Sequence, residues 1–112
     1  MKHLKLIVNN HIKKDIFFNK NELQLILNLY AKMVSVGEWK DYGLNILRRE
    51  VSFNVYHRSS DFPIYKIIKN LSPKNKNEKY FIKNSKNQII QNSDNLENLL
   101  VKIIWKKLKL VN

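Results

Sequence analysis

A chain of 112 residues can bury one modest core, so a single domain is expected, and 44 % apolar content sets it apart from disordered chains. The absence of cysteine excludes disulfides, thiolate metal sites and thiol nucleophiles, and suits a reducing, cytoplasmic setting. The formal charge of +12 points either to a polyanion partner or to the solvated lysine coat of an AT-biased composition, since Lys, Asn and Ile supply 47 of the residues.

Residues 1–16 carry weak signals. Leu4, Leu6 and Val8 alternate with polar neighbours or Ile7, and Lys13-Lys14-Asp15 reads as solvated, so a short strand and a loose arm both fit. The Leu6-Ile7-Val8 run is too short for a signal-peptide core, and no apolar run approaches the ~20 residues of a membrane span. Residues 17–112 then read as one α+β domain.

The first helix has a clear start. Asn19 is an N-cap with Glu22 three residues on, a capping-box pattern, and Phe18 is placed to staple onto Leu23. Leu23, Ile26, Leu27, Tyr30, Met33 and Val34 share one side, and Leu25, Leu29 and Val36 widen it beyond the stripe of a surface helix. Gln24, Asn28, Ala31, Lys32 and Ser35 form the wet face. Gly37 and Gly43, the two glycines of the chain, read as consecutive stop signals, with one more helical turn between them. Trp39 and Tyr42 then pin this joint to the core, or else form an exposed ligand platform.

From Leu44 the period changes to two. Leu44–Leu47 is a short strand or the first half of a longer one, with Arg48-Arg49-Glu50 as turn or bulge. Val51, Phe53 and Val55 alternate with Ser52, Asn54 and Tyr56 in a half-buried strand. Ser59-Ser60-Asp61 is a loop, Pro63 opens the next strand, and Ile64, Tyr65, Ile67 and Ile68 carry it. Pro73 and the polar run to Glu78 form another loop. Tyr80–Ile82 and Gln88–Ile90 read as a hairpin. A second helix starts near Ser93 or Asp94 with Glu97 completing a capping box. Its core side is Leu96, Leu99, Leu100, Ile103 and Ile104, continued round by Val101, Trp105 and Leu108. The fold class expected is α+β: an antiparallel β-meander of three to five strands flanked by an N-terminal and a C-terminal helix.

The stretches FFNKNELQLILNLYAKMVSVGEWKDYGL and VSFNVYHRSSDFPIYKIIK, above all GEWKDY and FNVYHRSSDFPIYKI, resemble a small uncharacterised bacterial family, the domain of unknown function catalogued as number 2794. The resemblance runs over about residues 17–100. It implies a self-contained cytoplasmic domain and carries no assigned activity, cofactor or catalytic residue.

Chemistry-bearing patterns are sparse. His3, His11 and His57 have no metal-ligand spacing, and Ser59, Ser60, His57 and Asp61 lie too close in sequence to assemble a triad. No catalytic residue, metal or cofactor is expected. Lys outnumbers Arg 18 to 3, yet Arg48, Arg49 and Arg58 share one short window. On strand alternation Arg48, Ser52, Asn54, Tyr56 and Arg58 share a face, a cationic and aromatic strip of the kind that stacks bases and neutralises phosphates. The structural reading of the same residues is an exposed sheet face with local ion pairs. The leading expectation is a non-enzymatic nucleic-acid-associated module that binds single-stranded RNA, ahead of DNA, or another polyanion. Arg48, Arg49, Arg58, Tyr56 and Asn54 would make contacts, with Trp39 and Tyr42 where exposed, and Lys102, Lys106 and Lys109 adding non-specific attraction. The alternative is a homodimer or adaptor that buries the broad apolar helix faces; a membrane surface ranks behind both.

Overall fold

The structure, a computed structural model, describes residues 16–58 and 62–102. Helix α1 spans Lys20–Ser35. Its capping box is complete: Asn19 Oδ1 accepts the Glu22 amide at 2.8 Å, and Glu22 Oε1 accepts the Asn19 amide at 2.7 Å. The helix ends in a Schellman motif, with the Glu38 amide donating to Met33 O (2.9 Å) and the Gly37 amide to Val34 O (3.0 Å). Gly37 takes the left-handed φ of 82° that this ending requires.

The extra turn expected between the glycines does not form. Trp39 drops into the core while its amide reaches back to Met33 O at 3.3 Å, and strand β1, Asp41–Ile46, begins at once. Gly43 is a strand residue, not a stop. The Tyr56 ring lies over it, so that a Cβ there would meet Tyr56 Cε1 at 3.7 Å.

Strands β2 (Glu50–Tyr56), β3 (Tyr65–Asn70), β4 (Tyr80–Asn84) and β5 (Ile89–Ser93) complete a five-stranded antiparallel sheet in sequence order. With helices at both ends of this meander, the fold is α+β. Arg48 and Arg49 form the β1–β2 turn, closed by Leu47 N donating to Glu50 O at 2.9 Å. A 3-10 helix, Lys76–Glu78, lies within the polar loop before β4. The β4–β5 loop is held by Asn84 Oδ1, which accepts the amides of Lys86 and Gln88, while Asn87 takes a left-handed φ of 66° that asparagine tolerates.

Helix α2 starts at residue 96 and is described to 102. Its cap is Asn95, whose Oδ1 accepts the Asn98 amide at 2.9 Å, and not Ser93 or Asp94 with Glu97. Ser93 is still paired with Tyr80 in the sheet, which delays the helix. The N-terminal arm, the Ser59–Asp61 loop, and the expected core residues Ile103, Ile104, Trp105 and Leu108 lie outside the described residues.

Strand register decides what faces what. Val51, Lys69 and Tyr80 are neighbours on one face, as are Phe53, Ile67 and Ile82. Both helices pack on that face: Ile26 and Met33 from α1, and Leu96, Leu99 and Leu100 from α2, join Phe18, Trp39 and the strand residues in one core. Each such side chain withdrawn from water contributes about 1.5–3 kcal/mol. Helix α1 crosses the sheet obliquely. Near its start Glu22 meets Lys69 and Tyr80 on β3 and β4; two turns later Tyr30 meets Phe53 and Tyr42 on β2 and β1. Among the described residues no helix lies above the hairpin end of β1.

Candidate functional site

The residues singled out for nucleic-acid contact do not share a surface. Arg48 and Arg49 are exposed at the β1–β2 turn, whereas Arg58 is exposed beyond the other end of β2, a strand about 20 Å long. Between them, every residue from Val51 to Val55 is buried. Asn54 is only 7 % exposed, and its Oδ1 accepts the Ser52 hydroxyl at 2.9 Å. The strand expected to be half-buried is therefore buried on both faces, with the Ser52 hydroxyl satisfied by Asn54 on the side away from the helices. Tyr56 is half-buried over Gly43. Trp39, at 1 % exposure, offers nothing to a ligand and pins the joint to the core. Lys102 is exposed on α2; Lys106 and Lys109 lie outside the described residues.

Tyr42 is exposed on the helix side of the sheet, the face opposite Tyr56. It stacks on Phe53 with ring centroids 4.8 Å apart and an interplanar angle of 4°. Tyr30 meets both rings edge-on, at 5.0 Å from Tyr42 and 5.9 Å from Phe53. Partial burial, then the charges of Asp41 and Tyr42, raise the Tyr30 hydroxyl above the ordinary phenol value. The folded chain keeps this proton at pH values where the unfolded chain has released it. Stability present at neutral pH is therefore lost as pH rises past about 10. An ultraviolet titration of the wild type minus Tyr30→Phe should isolate an ionisation above the free-tyrosine midpoint; a difference curve centred at or below that midpoint contradicts this.

Sequence reasoning missed a buried polar hub. Lys69, 1 % exposed, projects from β3 into the core and donates to Glu22 Oε1 at 2.8 Å and to Phe17 O at 3.1 Å. The Tyr80 hydroxyl donates to the other oxygen of Glu22. The signal was the spacing Tyr65, Ile67, Lys69, which puts the lysine on the core side of a strand. The Glu22 carboxylate, with its cap amide, ammonium and phenol donors, is saturated by the scaffold and has no approach from solvent. The hub is structural. Among the described residues no three His, Asp or Glu side chains converge as a metal site. A shallow open depression of about 470 Å³ beside Pro73, Asn75, Lys76, Lys79 and Asp94 has no enclosed polar group.

The edge strand β1 is the more informative surface. Tyr42, Leu44 and Ile46 project on the helix side yet stay exposed, Leu44 at 46 % and Ile46 at 64 %, and Leu47, just past the strand, is exposed as well. Leu27 and Val34 are exposed on α1 one turn either side of Tyr30 and extend it. The backbone agrees. Leu47 N points to β2, so by antiparallel alternation Asp41, Gly43 and Asn45 bond inward, and the N–H and C=O groups of Tyr42, Leu44 and Ile46 face outward from the sheet. Edge strands are usually guarded by lysine, proline or a bulge. Tyr42–Leu47 has neither lysine nor proline, in a chain with 21 Lys and Arg.

Among the described residues no helix is long and apolar enough to cross a membrane. No curated protein and no solved structure matches the chain. The model of one family, described as Protein of unknown function (DUF2794), matches residues 16–100, the span from the approach to α1 into α2, and the chain belongs to that family.

Proposed function

We propose that the domain is a non-enzymatic interaction module that engages a protein partner through the β1 edge and the apolar strip beside it. The single observation behind this reading is the coincidence, at Tyr42, Leu44 and Ile46, of outward backbone groups and exposed apolar side chains. An extended segment added there gains main-chain hydrogen bonds and side-chain contacts together, the logic of strand addition. The cysteine-free composition favours a cytoplasmic setting. The test is a displayed library of extended peptides panned on the immobilised domain. Binders are expected, and the double substitution Leu44→Lys, Ile46→Lys should abolish their retention. Binders indifferent to that change, or none at all on a domain that is monomeric, refute the reading.

A second reading, contact with single-stranded RNA or another polyanion, draws support from the charge of +12 and from Lys66 and Lys83. These two face each other across β3 and β4 on the side of the sheet away from the helices. Such contact weakens steeply with salt. A purified domain that ignores single-stranded RNA at low salt disposes of it.

A further inference from the structure

We infer that the partner at the β1 edge is a second copy of this chain, with the two β1 strands paired antiparallel and Leu44 opposite Leu44. This rests on the reading of that edge as an interface and adds the identity of its occupant. Three properties of the strand point to self-pairing.

The first is symmetry. A two-fold axis normal to the sheet pairs residues whose numbers sum to a constant, and only an even sum keeps like faces together. Centring on Leu44 sets Tyr42 of each copy opposite Ile46 of the other, so all three outward-facing residues exchange both backbone hydrogen bonds with a partner residue. Centring on Gly43 leaves Ile46 without a partner strand residue. In the Leu44 register the six side chains form one apolar ladder, with aromatic against β-branched residues at its ends, a favourable cross-strand combination. The axis also keeps both α1 helices on the same side of the joined sheet. Leu27 and Val34 of each copy then flank the seam.

The second property is charge. The net +12 of each copy opposes association, and Tyr42–Leu47, a stretch with no charged side chain, is where two copies can meet without like charges facing each other. The third is contrast with the opposite edge. β5 is interrupted by a register shift at Ile82/Lys83, and the 3-10 helix Lys76–Glu78 packs against it, two devices that discourage strand addition. β1 has neither.

Because the chain contains no cysteine, Leu44→Cys introduces a unique thiol. Residues in a hydrogen-bonded antiparallel pair have Cα atoms about 5.5 Å apart, within the ~4.4–6.8 Å span of a disulfide. The full-length Leu44→Cys chain should therefore form a covalent dimer under mild oxidation on the order of 100-fold faster than a Val101→Cys control, which places its thiol on an exposed site of α2. The wild type should sediment as a dimer at micromolar concentration. Leu44→Lys, Ile46→Lys should sediment as a folded monomer, and the milder Ile46→Lys alone serves if the double variant does not fold. A wild type that stays monomeric into the high micromolar range, with Leu44→Cys oxidising no faster than the control, overturns self-pairing. If that monomer still captures extended peptides at β1, only the identity of the partner is lost; if it captures none, the interface reading falls as well.

Discussion

Lys69→Met is expected to cost about 3–5 kcal/mol of folding stability, read as a lower urea midpoint and a fall in Tm of order 20 °C. The ammonium of Lys69 lies 2.8 Å from Glu22 Oε1, and both side chains are shielded from water. Methionine fills the space of the lysine stem but leaves the Glu22 carboxylate charged in a low-dielectric setting with only the Asn19 amide and the Tyr80 hydroxyl to stabilise it. Breaking one half of a buried pair is expensive because the remaining charge keeps its full desolvation penalty. Glu22→Gln in the same background removes that charge, and glutamine still serves at the third position of a capping box. The double variant should therefore recover a large part of the loss. A Lys69→Met protein within 1 kcal/mol of wild type would mean that water reaches the pair.

Trp39→Ala should cost a comparable ~3–5 kcal/mol, the range for deleting a large buried aromatic. Trp39 sits under Tyr30, with ring centroids 6.3 Å apart, and belongs to the same core as Phe53 and Met33. Its removal opens a cavity where the end of α1 turns into β1. A tryptophan serving as a ligand platform would behave oppositely: truncation would leave stability within about 0.5 kcal/mol and abolish binding. Guanidinium unfolding separates the two outcomes, and a near-neutral result would return Trp39 to the surface.

The elements that the sequence specified well are those whose signal is local. The Asn19–Glu22 box is a spacing of three residues, the glycine ending at Gly37 is a single conformational demand, and the β4–β5 loop is written in Asn84 and Asn87. What remained hidden depends on partners far along the chain. Glu22 reads only as a capping-box residue until β3 and β4 place Lys69 and Tyr80 against it. Gly43 reads as a stop because nothing nearby announces that it pairs with Asn54 inside a strand, with the Tyr56 ring beside it. Asn95 displaces Ser93 as the helix cap because strand pairing with Tyr80 has first claim on Ser93. The arginine cluster is the sharpest case. Eleven residues are compact in sequence, but a strand stretches most of them to its full length and sends Arg48 and Arg58 to opposite ends. The exposed edge was legible only in its raw material, a run from Tyr42 to Leu47 without charge. That α1 would leave its hairpin end uncovered follows from the oblique crossing of the helix.

That crossing also orders events in time. Each hairpin of the meander closes over a short loop, so the sheet can zip up from contacts near in sequence. The anchor of α1 spans 47 residues to Lys69 and 58 to Tyr80. Its loop-closure entropy is met only when β3 and β4 already lie side by side. The first helix of the chain is thereby anchored only after β3 and β4 have paired, and its carboxylate stays hydrated until the strands that receive it have assembled.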